Sequence, residues 1–270
     1  MASIPLAQMV RRTKRTRRTE ITFRPIVAPG TLASDLYAEA YAPVIAAWTG
    51  ATEEITAAYS QALATLTQDS PEQVTARIGV AELTAGRILL EIRLRLERWA
   101  LKVERWQRGK WRANVLSATG VDLGTMLGAA DVRAPLGAVI ERNVALVKSV
   151  SDQARDRISD AVFRGLTQRK PAAEVAKDIR AATGMARRRA LNIASNETTN
   201  ITSMLNQERM MQAGIEHYEW LSSHKVNFRP EHAARDGRRY EIGHFGDDEP
   251  GMAIHCACTA RAVLSLDSEF

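Results

Sequence analysis

Cysteine is almost missing from this chain, and the two that occur, Cys256 and Cys258, stand one residue apart. Neighbours that close make poor disulfide partners, so the fold cannot rest on a cross-linked framework and needs no oxidising compartment. Aromatic residues are also scarce, at 6%. That argues against a β-rich core, and the abundance of alanine, leucine and arginine favours helices instead. No window approaches the ~18 uncharged apolar residues of a membrane span. The first residues carry Arg and Lys with no apolar stretch behind them, so no secretory signal is expected and the chain is read as cytosolic when made. No repeat at solenoid periods is present.

What is there describes an ordinary globular protein. Of 270 residues, 45% are hydrophobic and 25% charged, enough for two domains or for one elongated domain with a compact end. The formal net charge is +6 and the pI about 9.6. Much of the excess lies in one run that contains Arg11, Arg12, Lys14, Arg15, Arg17 and Arg18. So dense a run repels itself and is expected to stay disordered until it meets a polyanion or an acidic surface. Phosphate neutralisation would let it contact DNA without reading sequence, but it carries no aromatic residue for base stacking. The alternative is a solvated basic tail with no dedicated ligand. Residues 1–30 are therefore expected to form a basic flexible arm, closed by Pro25 and Pro29-Gly30.

Helical spacing follows. Leu36, Ala40, Val44 and Trp48 line one stretch, which Pro43 should kink or divide. Ile55, Ala58, Tyr59, Ala62 and Leu66 line the next. Ser70 and Pro71 form a helix-start signal, and from there to about Trp111 one long helix is expected, with Ile88, Leu89, Ile92, Leu96, Trp99 and Val103 repeating every three to four residues. Residues 112–137 hold Gly120, Gly124, Gly128 and Pro135-Leu136-Gly137, a loop-rich passage. A helix resumes near Asn143 and is expected to stop at Gly165. A short one covers Pro171 to Ala182, with a stop at Thr183-Gly184, and another runs from Met185 to Ala213, ending at Gly214.

After Gly214 the period changes from helical to alternating. Ile215 to Leu221 reads as a strand, Asp236-Gly237 as a turn, Arg238 to Ile242 as a second strand, Pro250-Gly251 as another turn and Cys258 to Val263 as a last strand. The expected fold class is α+β: a mostly helical N-terminal body with a small C-terminal α+β module of short strands.

Two clusters carry possible chemistry. His232, His255, Cys256 and Cys258, with His244 as a spare, are soft and borderline ligands of the kind a tetrahedral zinc accepts. Against this, Cys-x-Cys is tighter than the usual zinc spacing, and two reduced cysteines packed in a small module would look the same. Glu197, beside Thr198, is either a helix-borne general base or an acceptor for Arg229 or the Trp220 indole that joins helix to module. No second acid, nucleophile or phosphate loop accompanies it.

The order of these fragments matters more than any one of them. Arg189-Ala190-Leu-Asn-Ile193-Ala194-Ser-Asn-Glu197-Thr198 resembles the Arg-Ala-x-x-Ile-Ala-Arg-Thr-Glu-Thr helix of the phage head morphogenesis family named for the Mu F protein. Gly214-Ile215-Glu-His-Tyr218-Glu-Trp220 is similar to that family's Gly-Ile-x-x-Tyr-x-Trp strand. Arg229-Pro230-Glu-His232, Asp236-Gly237, Pro250-Gly251 and His255-Cys256-Ala-Cys258 complete the likeness, with an Asn143-Val-Ala-Leu-Val segment upstream. Two departures stand out. His224-Lys225-Val226-Asn227-Phe228 occupies the place where the family often has Asp before its Arg, and Ala257 separates cysteines that usually flank Arg.

The helical spacing gives a helical region over 31–137, and the resemblance, which covers roughly 140–265, implies a Mu F-like head morphogenesis domain over 138–265 followed by a tail over 266–270. It implies a minor head protein of a tailed bacteriophage, not an enzyme, which associates with portal, major capsid or scaffold proteins. Such a protein resides inside the virion after assembly in the host cytoplasm, with DNA as a further partner of the basic arm. No cofactor is expected beyond a possible zinc, and no membrane partner. A rival function is a metal-dependent nuclease with His232 as base and Asp236, His255, Cys256 and Cys258 near a metal. A third is a toxin-type effector sharing the domain.

Overall fold

A computed structural model describes residues 4–13, 18–65, 70–224 and 229–267. It has the expected α+β class, with long helices and a small antiparallel sheet. The chain forms two compact units, each discontinuous in sequence. The first takes Met1–Leu32, Ala100–Val139 and Ser195–Phe270, and the second takes Ala33–Trp99 and Ile140–Ala194. Each unit takes segments from both sides of residue 138. The reason lies in the helices: one of 50 residues outruns a single small core, so its two halves belong to different units.

The helix α2 (Gly30–Leu36), which enters the second unit at Ala33, passes through a π-helical turn, Tyr37–Tyr41, into α3 (Ala42–Gly50). Pro43 does divide the stretch. It has no N–H for the Glu39 carbonyl, and the Arg95 guanidinium lies 3.5 Å from that oxygen. Next come α4 (Thr52–Thr65), the first half of α5 (Ser70–Thr119), most of α6 (Arg133–Gln168) and the first half of α7 (Ala172–Gln212). Trp48, Ile55, Tyr59, Ile92, Leu96, Trp99, Val147, Ile158 and Ile179 are buried within this unit.

Four helix boundaries differ from expectation. α5 continues past Trp111 to Thr119, and α6 begins at Arg133, so Pro135 sits in a first turn whose N–H groups need no intrahelical partner. Gly165 does not stop α6. A Cβ there would lie 2.6 Å from Val175 Cγ2 and 3.0 Å from the Tyr59 hydroxyl, so glycine is present for close approach. That approach lets Tyr59 donate to the Lys170 carbonyl at 2.7 Å, just past the helix end. Nor do Thr183-Gly184 interrupt α7. An interior glycine costs about 1 kcal/mol, which burial of Val175, Ile179, Ala182, Ala186, Ala190 and Ala194 on one face outweighs.

The first unit begins with α1 (Leu6–Thr13) and β1 (Glu20–Thr22). For the described residues 4–13 and 18–30 this corrects the flexible arm. Leu6 and Val10, one turn apart, are buried, as are Ile21, Phe23 and Ile26. That apolar content outweighs the charge repulsion expected to keep the stretch unfolded. At the other end Leu266 is 2% exposed and its amide bonds the Thr19 carbonyl, so the core takes in the start of the supposed tail. α7 ends where expected: Gly214 has φ +67°, and the Ile215 amide returns to the Met210 carbonyl at 3.0 Å.

The sheet has the order β1-β4-β2-β3, all antiparallel, with β2 at His217–Leu221, β3 at Arg239–Glu241 and β4 at Thr259–Ser265. Its register matches large with small side chains. Trp220 faces Ala260 and Tyr218 faces Ala262, so the two rings fill space the alanines leave. Trp111, Val115, Leu123, Met210, Ile215 and Leu264 close the core against them.

Candidate functional site

The His–Cys cluster assembles inside the first unit. Arg229 is extended and Pro230 opens the short helix α8 (Pro230–Arg235), which sets His232 inward at 2% exposure. Cys256 and Cys258 arrive on the turn before β4, both buried. His232 Nδ1 lies 3.5 Å from Cys256 Sγ and 3.7 Å from Cys258 Sγ. On the other side of the ring, His232 Nε2 is 3.0 Å from Asp248 Oδ1. Arg235 donates to Asp248 Oδ2 at 2.7 Å, with its guanidinium 3.8 Å from the Phe245 ring centre and 4.9 Å from that of Trp220. The edge of Trp220 closes on the imidazole at 5.0 Å between centroids.

The environment splits the two thiols. A hydrogen bond with Cys258 lowers Cys256 to about 5, against the opposing effect of burial, with help from the Cys258 and Gly251 amides and the His232 charge. Cys258 is pushed up by the bond with Cys256, by burial and by the Cys256 charge. For Asp248, burial pushes upward, but hydrogen bonds from Arg235 and His232 prevail and hold it below the usual carboxylate value of 3.8.

A polar ladder on α7 holds the turn that carries Cys256. Asn196 accepts the His255 amide at 2.6 Å. Asn200 donates to the Gly251 carbonyl at 2.6 Å with its amide nitrogen turned toward the turn. Asn206 donates to the Ala260 carbonyl at 3.1 Å, and Gln207 to Glu249 at 3.3 Å. Ser203 packs so tightly against Gly251 (φ +81°) that a Cβ would strike its hydroxyl. These contacts were not read from the sequence. Their signal was present, since asparagine disfavours helix interiors and here recurs at spacings of four and six residues within one helix.

Not every candidate joins the cluster. The ligating set among the described residues is His232, Cys256 and Cys258, without His255. His255 is exposed on a positive-φ turn (+59°), and His244 stacks on Tyr240. Asp236 accepts the Ser222 amide at 2.7 Å and lies 3.4 Å from His224, while Gly237 takes the turn at φ +71°. The nuclease constellation is thus split, and the acid that serves His232 is Asp248, which sequence reading missed.

The family-motif residues have structural engagements. Arg189 donates to the Ser149 carbonyl at 3.1 Å and its hydroxyl at 2.9 Å. Glu197 and Thr198 are buried, and Asn196 donates to Glu197 at 3.4 Å. Arg229 does not serve Glu197 as expected, because its guanidinium donates to the Ile254 carbonyl at 3.1 Å. Trp220 fills the core and its indole N–H acts on the Cys258 thiol, so it is not the Glu197 donor either. Of the basic run, Arg11 and Arg12 end α1 and Arg18 is exposed, with Arg11 3.9 Å from Asp267. Lys14, Arg15 and Arg17 lie outside the described residues.

The site is thus a small sheet packed on a helix end, closed by a buried His–Cys cluster and framed by polar contacts. Residues 153–261 match the family described as Phage Mu protein F like protein. An uncharacterized protein of Haemophilus influenzae (strain ATCC 51907 / DSM 11121 / KW20 / Rd) is 27% identical over 159 residues. That match takes in 58% of this chain and 36% of the relative, so the chain spans little more than a third of that protein's length. No solved structure matches. Among the described residues no helix is long and apolar enough to cross a membrane.

Proposed function

We propose that this chain is a non-catalytic minor head protein of a tailed bacteriophage, joined to the portal and to capsid or scaffold subunits during procapsid assembly and retained inside the virion. One observation carries this reading. Within the family segment, motif side chains are engaged in packing, turns and internal hydrogen bonds: Arg189 binds Ser149, Trp220 fills the core and Asp236 holds the Ser222 amide. A catalytic residue needs access to a substrate, and a building block does not.

The helical half offers a surface for assembly. Val80, Leu83, Leu90 and Leu94 on α5 are all at least half exposed, and their spacing is that of a heptad seam interrupted by Arg87. A partner helix on the portal or scaffold would cover it. The basic residues Arg11, Arg12 and Arg18, with Lys14, Arg15 and Arg17, would meet DNA phosphates after packaging. Co-expression with the portal protein of the phage or prophage that encodes the chain tests the proposal. The two proteins are expected to co-purify, and Leu90→Glu with Leu94→Glu is expected to abolish the complex while leaving the chain folded. Failure of the unaltered pair to associate at micromolar concentrations would count against the portal as partner.

A further inference from the structure

We infer that His232, Cys256 and Cys258 bind one zinc ion, and that this ion staples α8 to the turn before β4. Zinc at about 2.3 Å from sulfur and about 2.0–2.1 Å from imidazole nitrogen, in tetrahedral arrangement, places sulfur and nitrogen about 3.6 Å apart. His232 Nδ1 stands 3.5 Å and 3.7 Å from the two sulfurs. All three ligand atoms lie within 4.8 Å of one another and all three residues are buried. Side chains packed only for shape have no reason to direct three soft donors at one point.

The surroundings agree. A metal-bound imidazole usually gives its second nitrogen to a carboxylate, which fixes tautomer and ring orientation. Here His232 Nε2 is 3.0 Å from Asp248, which Arg235 holds in turn at 2.7 Å. Charge balances too: two thiolates neutralise a divalent ion, so the loaded site is neutral where an unpaired charge would be costly. Among the described residues no fourth His, Cys, Asp or Glu joins the set, which leaves one position of the tetrahedron to a ligand from solvent. A metal clip also suits α8, which at six residues is too short to hold its own shape. Sequence spacing hid the site because Cys-x-Cys is unusually tight, and only the fold brings His232 to it.

The test uses the full chain, purified without a metal-binding tag or chelator. Elemental analysis is expected to find one zinc per chain, and Cys256→Ser and Cys258→Ser are each expected to lose it. Because those variants could misfold, cobalt titration of the chelator-stripped natural chain is the second measurement. One equivalent of Co2+ is expected to give tetrahedral visible bands together with thiolate-to-cobalt charge transfer in the near ultraviolet, and zinc is expected to bleach both. Protein isolated with less than a tenth of an equivalent of zinc, and showing no cobalt spectrum, would overturn the assignment. So would a Cys256–Cys258 disulfide in freshly purified material.

Discussion

Glu104 and Arg209 meet at 2.9 Å with neither side chain exposed, joining α5 to the last turns of α7 inside the first unit. Arg209 also donates to Gln212 at 2.8 Å and to the Gly128 carbonyl at 3.0 Å, and it lies 3.5 Å from Asp131. Arg108 approaches Glu104 from the surface side at 3.2 Å. One guanidinium therefore gathers two helices and the connection between α5 and α6.

Breaking this pair should be severe. Arg209→Met or Glu104→Gln leaves a buried group without its partner and is expected to lower stability by about 3–5 kcal/mol. Replacing both with apolar residues should cost much less than the sum of the single changes. Urea unfolding of the two single variants and the double variant measures the coupling. Additive losses would show that the two residues do not act as a pair.

Two helical glycines should respond with opposite sign. Gly165→Ala drives a methyl into Val175 and Tyr59 and is expected to cost about 1–3 kcal/mol. Gly184→Ala meets nothing within 4 Å and is expected to stabilise by about 0.5–1 kcal/mol. Thermal unfolding read by circular dichroism distinguishes them. A stabilised Gly165→Ala would mean that the close approach of Tyr59 is wrong.

The ladder on α7 predicts a local effect. Asn196→Ala removes the acceptor of the His255 amide, and that amide is expected to exchange with deuterium faster while the α7 amides change little. Asn206→Ala is expected to cost about 1 kcal/mol through the Ala260 carbonyl. Gly251→Ala should be worse than either, since both its φ and the Ser203 contact oppose a side chain.

Enzymatic activity is expected to be absent. Purified chain should not nick supercoiled DNA with magnesium or zinc, and any trace of nicking should be unchanged by His232→Ala. Nicking that His232→Ala abolishes would instead support a nuclease, with Asp248 in place of Asp236 as the acid beside the base.

Much of this architecture was legible in the chain, and the misses have physical causes. The alternation from Ile215 to Leu221 and the stop at Gly214 reported local preferences that packing did not overrule. Gly165 and Gly184 looked like helix ends because local propensity alone cannot see a tyrosine packed against one or a buried seam running past the other. The first 30 residues looked like an arm because their charge is concentrated, whereas Leu6, Val10, Ile21 and Phe23 are scattered and find their partners only in distant elements. At the site, His232, Cys256 and Cys258 were identifiable by residue type. Asp248 and the α7 asparagines were not, because what each does depends on elements far away in sequence.

Mass spectrometry of purified procapsids and virions, from the phage or prophage that encodes the chain, is the most direct measurement. The chain is expected in both particles, at low copy relative to the major capsid protein, and still present after the tail is removed. Its absence from procapsids and virions alike, while abundant in the surrounding lysate, would contradict a structural place in the head.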